Sequence, residues 1–245
     1  MRRAALPLLL LTALLAAPPV LAAELFDRPL AVQSVPPASA DDPGGAIRCT
    51  YYRDFMVRET GTDSPAPGPA AVIAVVDAAR RPPCSAAPAA REVALKTEDF
   101  ALRGRKGPFL VFEAADPNGA MPFSVVEAGS GRIVYSDSEI PPDGLHAVVL
   151  AGGVLHIRYT RAFNGSCSVL KDAAGCWAKL AREGNFPPQL AQSPPPVKMC
   201  AAAYRREDVP SDDPSMITYD VDVALEVSGK SEVKFVGNAG CAPMP

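Results

Sequence analysis

Apolar and polar residues alternate most regularly from Ile217 to Val227. Ile217, Tyr219, Val221, Val223, Leu225 and Val227 share one parity, and Thr218, Asp220, Asp222 and Glu226 share the other. Period two over that length predicts a strand with one buried and one wet face. Ser228-Gly229-Lys230 supplies a turn, and Val233 and Phe235 continue the buried face on the returning strand. A second hairpin pairs His146–Ala151 with Val154–Arg161 across Gly152-Gly153. That register sets Leu150 opposite Leu155, Val148 opposite Ile157 and His146 opposite Tyr159, and leaves His156 and Arg158 on the other face. Phe109–Ala114 is a nearly continuous apolar run, which predicts a strand covered on both sides, and Asp116-Pro117-Asn118-Gly119 comes after it as a turn. Phe123–Glu127 and Arg132–Ser136 form a third hairpin around Gly129-Ser130-Gly131, with further strands expected at Ile47–Arg58, Ala71–Val76, Val93–Thr97 and Phe100–Arg103.

Helical spacing is expected once, over Ala173–Glu183, where Ala173, Cys176, Trp177, Leu180 and Ala181 form one stripe, Asp172 is placed to cap the start and Gly184 to stop the end. Pro187-Pro188 and Pro194-Pro195-Pro196 bound a segment read as a connection. The fold class expected is therefore mainly β, an antiparallel β-sandwich or barrel-like domain with one short helix. Residues 24–46, with Pro29, Pro36, Pro37, Pro43 and Gly44-Gly45, read as a flexible lead-in, and residues 47–245 as one domain. Cys49, Tyr52-Arg53 and Asp63-Ser64-Pro65 recur in order as Cys200, Tyr204-Arg205 and Asp213-Pro214, a weak internal echo that chance accounts for equally well.

Residues 1–23 change the compartment. Arg2-Arg3, the apolar stretch through Leu15 and the exit Ala22-Ala23 have the layout of a removable export signal, although Val20 or Leu21 loosens the small-residue cleavage pattern. The protein is thus expected in the periplasm or secreted, and its alanine and proline richness is of bacterial character. All six cysteines fall after the leader, and an even number in an oxidising compartment reads as disulfides. About 15 pairings are formally open. The nearest-neighbour scheme joins Cys49 to Cys84, Cys167 to Cys176 and Cys200 to Cys241. Loss of Arg2 and Arg3 takes the formal net charge from −3 to −5, which argues against a nucleic-acid partner, and no later apolar stretch has the length of a spanning helix.

Candidate chemistry is sparse. No Gly-x-Ser-x-Gly elbow and no Cys-x-x-Cys occurs, neither His146 nor His156 stands at ligand spacing from a cysteine, and no motif calls for a cofactor. Asp220 and Asp222 share one strand face, about 6.6 Å apart at ~3.3 Å per residue, a spacing open to a glycosidase-like carboxylate pair or to a charge ladder with Lys230, Glu232 and Lys234. Glu207, Asp208, Asp212 and Asp213 with Asp220 could supply oxygens to calcium, whereas Asp116–Glu127 departs from a calcium loop at Met121 and Pro122. The stretch Tyr159–Trp177, pinned by Cys167 and Cys176, offers Arg161, Phe163, Asn164 and Trp177 as a binding surface or as the cover of a barrel end. The leading expectation is an exported, non-enzymatic binding domain for a protein or glycan of the cell envelope. The alternatives are a polysaccharide hydrolase using Asp220 and Asp222, and a calcium-dependent structural module.

Overall fold

The structure, a computed structural model, describes residues 24–37, 39, 45–61, 70–75, 81–85, 92–95, 100–114, 119–141 and 144–244. The expected leader, Asp63-Ser64-Pro65, Val76, Lys96-Thr97 and Asp116-Pro117-Asn118 lie outside these residues. One layer is a five-stranded antiparallel sheet in sequence order, made of β1 (Ala31–Val35), β2 (Ile47–Tyr51), β3 (Phe55–Thr60), β4 (Ala70–Val75) and β5 (Glu92–Ala94). A meander comes after it: β6 (Phe100–Lys106), β7 (Phe109–Ala114), β8 (Met121–Glu127) and β9 (Arg132–Glu139). Next come β10 (Leu145–Ala151) and β11 (Val154–Asn164), then α1 (Ala173–Glu183), α2 (Pro188–Ala191) and α3 (Val197–Glu207), and last β12 (Ser215–Leu225) and β13 (Ser231–Pro243).

β6 to β13 make one eight-stranded antiparallel sheet with a fork in it. One edge of β11 pairs with β12 along almost its whole length; the other pairs with β10 as far as Tyr159 and then, at Arg161, with Glu139 of β9. The sheet turns there, so that the β6–β9 half and the β10–β13 half share a core in sandwich fashion without closing into a barrel. Phe109, Val111, Phe123 and Val125 meet Leu155, Ile157, Tyr159, Ile217, Tyr219, Val221 and Val223, and Trp177, Leu180, Leu190 and Tyr204 of the helices close one end. The opposite face of the meander is covered too. Leu110, Phe112 and Val126 pack on Tyr52, Phe55, Val57 and Ile73 of the first sheet, so β7 lies between two cores, as its nearly continuous apolar run predicts. Each large apolar side chain so buried stabilises the fold by about 1.5–3 kcal/mol. A polar tie joins the same layers: buried Glu59 accepts the Leu102 amide at 2.7 Å beside a bulge in β6, and burial raises its pKa.

Several expectations are corrected. Residues 24–46 are not merely a lead-in, because Ala31–Val35 pairs with β2 as an edge strand. Ile47–Arg58 is two strands, turned at Tyr52–Asp54, where the Tyr52 amide donates to the Phe55 carbonyl. There are three helices among the described residues rather than one. α1 itself starts and stops where expected, with Asp172 accepting the Gly175 amide at 3.0 Å and Gly184 as the C-cap; Gly184 keeps φ at −85°, and Asn185 after it takes the left-handed turn at 47°. The segment expected as a connection contains α2, and α3 begins directly after the prolines. Proline is tolerated at a helix start, where its missing N–H owes no bond, and Ala201–Ala203 are strong helix formers. Because Cys49 lies on a strand and Cys200 on a helix, the internal echo is not a structural repeat. The second hairpin keeps Val148 opposite Ile157 and Leu150 opposite Leu155. A bulge before Ala147, however, puts Leu145 rather than His146 against Tyr159 and swings His146 to the outer face. One extra residue inverts the alternation beyond it.

The three disulfides are Cys49–Cys84, Cys167–Cys176 and Cys200–Cys241, with sequence separations of 35, 9 and 41. In the chain-entropy account the two longer loops are worth about 4 kcal/mol each and the short one about 3. They mark a chain that folds outside the reducing cytosol. Among the described residues no helix is long and apolar enough to cross a membrane.

Candidate functional site

Arg161 stands where β11 changes neighbours, and two residues before its β9 partner Glu139 comes Asp137. Both Asp137 oxygens accept from Arg161 Nε, at 2.9 and 2.7 Å, and Nη2 adds a further bond to Oδ2. Three tyrosines complete the network. Tyr135 Oη donates to Asp137 Oδ2 at 2.7 Å and lies 2.7 Å from Tyr159 Oη, which also reaches Asp137. On the other side Arg161 Nη1 donates to Tyr219 Oη at 3.1 Å, with the guanidinium over that ring. Burial works against the Arg161 charge, but the hydrogen bonds and field of Asp137 outweigh it and raise its pKa. Burial, chiefly, drives the three phenols upward, so they stay protonated hydrogen-bonding groups.

Arg161, held by this network, lines a cleft of about 630 Å³ at the open edge of the sandwich. Asn185, Phe186, Pro187, Pro188 and Gln189 make one wall, and Val233, Lys234 and Phe235 of β13 the other. The first wall is fixed by local chemistry. The left-handed Asn185 turns the chain sharply after α1, the Phe186 amide bonds back to the Ala181 carbonyl at 3.0 Å, and Pro187 and Pro188 stiffen the backbone beyond it. Phe186 itself is buried against Phe163, Trp177 and Tyr219 at ring-centroid distances of 5.8, 5.4 and 5.5 Å. The cleft is therefore formed before any ligand arrives.

Of the four residues expected to bind, Arg161 lines this cleft and the other three do not. Phe163 is half-buried behind Phe186, and Asn164 lies at the far end of β11, where its Oδ1 accepts the Ala120 amide at 3.0 Å. Trp177, 4% exposed, is the plug of the sandwich end. The loop held by Cys167–Cys176 does not present these side chains because Arg161–Asn164 belong to the strand itself.

Asp220 and Asp222 face the opposite side of the same ribbon. A shallow trough of about 450 Å³ there is lined by residues including Val149, His156, Arg158, Asp222, Glu232 and Lys234. Asp222 accepts from Arg158 Nε and Nη2 at 2.7 and 2.9 Å, and that pair holds its carboxyl below the usual range. A glycosidase acid needs the opposite shift. Asp220 accepts from Thr160 Oγ1 at 2.7 Å; the same hydroxyl lies 2.7 Å from His146 Nε2, a chain of contacts made possible by the bulge. Glu207 bonds Arg206, and Asp208 is the left-handed cap of α3. Among the described residues no three His, Cys, Asp or Glu side chains converge as metal ligands.

Asp137, Tyr135, Tyr219 and Phe186 were not singled out from the sequence. One signal pointed their way: inward-facing Tyr159 and Tyr219 on predicted strands each require a buried partner for the hydroxyl. No protein-family model, no curated protein and no solved structure matches the chain.

Proposed function

We propose that this protein is an exported, non-enzymatic binding domain, periplasmic or secreted, that takes a cell-envelope glycan in the cleft over Arg161. The observation that carries the reading is the cleft's make-up. Its guanidinium is already matched by Asp137, and Lys234 lies 3.2 Å from Glu232, so the site offers hydrogen-bonding groups without a surplus charge. Around them stand Phe235, Pro187 and Pro188, with the amides of Asn185 and Gln189 exposed at the rim. A ligand with apolar faces and a rim of neutral hydroxyls fits that pattern, which is the character of a sugar chain. Preformed walls reduce the ordering cost of binding.

The test is calorimetric titration of envelope polysaccharide fragments into the purified protein. Gln189→Trp, which fills the cleft from an exposed position, is expected to abolish binding while leaving the melting temperature unchanged. Equal affinity in Gln189→Trp, or no affinity of the natural protein for any such fragment, overturns the reading.

A further inference from the structure

The outermost strand of the sandwich ends in an unpaired edge. β13 bonds to β12 on one side, and among the described residues no backbone group of Ser231–Val236 bonds to anything on the other. Ser231 to Lys234 are all exposed, and Val233 and Val236 are 40% and 43% exposed. Such an edge is a template for another strand, and proteins commonly guard it with charge. Here the guard consists of Glu232 and Lys234, of opposite sign and one residue either side of Val233.

We propose that this edge pairs with the same edge of a second copy, antiparallel, about a twofold axis at Val233. A twofold perpendicular to a sheet keeps each side chain on its own face. Since successive side chains alternate faces, the axis must pass at a residue and never between two. That leaves few registers. Centred on Glu232, the pairing sets Glu232 against its own copy and Lys230 against Lys234. Centred on Lys234, it sets Lys234 against itself. Centred on Val233, it places each Glu232 opposite the other copy's Lys234, twice by symmetry, and brings the exposed Val233 onto its counterpart. Charges directly opposite across strands are favourable when unlike and unfavourable when alike. Centred on Ser231, the pairing also sets Glu232 against an unlike charge, but that charge is Lys230 of the turn, outside β13. Within the strand the edge is thus self-complementary in one register and self-repelling in the two beside it. Because Val233 also lines the Arg161 cleft, the dimer sets two clefts side by side, but the pairing itself does not depend on what the cleft binds.

The experiment is sedimentation equilibrium of the oxidised protein without ligand, over a wide concentration range. A concentration-dependent dimer is expected. Glu232→Lys and Lys234→Glu each turn both charge pairs repulsive and should weaken association by about tenfold or more. Mixing the two variants makes every cross-strand pair unlike again and should restore a heterodimer, which also shows that both variants are folded. A natural protein that stays monomeric throughout, a dimer untouched by either variant, or a mixture that does not re-associate overturns the proposal. None of these results bears on glycan titration, so the two readings fail separately.

Discussion

Arg158 and Arg161 leave the same strand three residues apart, and each meets an aspartate, yet the two pairs belong to different physical regimes. Arg158 and Asp222 lie across neighbouring strands on the wet face, with side chains 58% and 37% exposed. Arg161 and Asp137 lie inside the fork of the sheet at 21% and 12%, tied to three tyrosines. Water replaces most of what the outer pair offers, so that pair costs little to break. Inside, each charge offsets the burial cost of the other, so losing one member leaves the other uncompensated. Identical chemistry therefore decorates one face and organises the other, and the inner one underlies the cleft.

The sharpest way to break this contrast is Asp137→Ala. It strands a buried guanidinium and is expected to cost about 3–5 kcal/mol in urea denaturation, most of which Asp137→Leu with Arg161→Met should recover, since an apolar pair removes the charge along with its partner. A cost comparable to that of a surface pair would show that water reaches the network.

A third pair sharpens the comparison. Glu139 is fully buried, bonded at 2.6 Å to Arg103, whose guanidinium is shared with Glu113. Burial pushes the Glu139 carboxyl up to about 7, against an ordinary value of 4.5, with Arg103 compensating only in part. The folded state then holds a proton that the unfolded state releases, so stability is lost as pH rises from about 4.5 through 7. Denaturation midpoints measured across that window should fall with pH in the natural protein and much less in Glu139→Gln.

The smallest effect is expected outside. Arg158→Ala should leave the urea midpoint almost unmoved, and high salt should shrink even that small change. The informative reading is the Asp222 carboxyl, whose NMR midpoint is expected below the usual range in the natural protein, held there by Arg158, and closer to it in the variant. An unmoved midpoint would assign the shift to something other than Arg158.

How much of the fold could be read in advance depends on the range of the interaction. Strand β12 was legible because five inward residues at period two leave no other register, and β7 because a nearly continuous apolar run has to be covered twice. α3 was hidden by the three prolines ahead of it, although Ala201–Ala203 and the basic pair Arg205-Arg206 in the last turn are ordinary helix signals. His146 was misplaced because alternation assumes an unbroken register, and one bulge defeats it. The Asp137–Arg161 pair was out of reach. β9 and β11 meet in register at Glu139 and Arg161, and no local pattern in either strand announces that meeting. The cleft wall at Asn185–Gln189 was half visible: its prolines argued for a rigid segment, but what that segment faces is decided by the fork.

The disulfides also bear on the order in which the fold is made. Numbered along the chain, the first cysteine joins the second, the third the fourth and the fifth the sixth, so no bond spans another. A chain that meets an oxidant as it emerges, N-terminus first, can close each bond with the next cysteine to arrive. Oxidation in order of appearance thus yields the native pairing directly, with no wrong bond to be reshuffled.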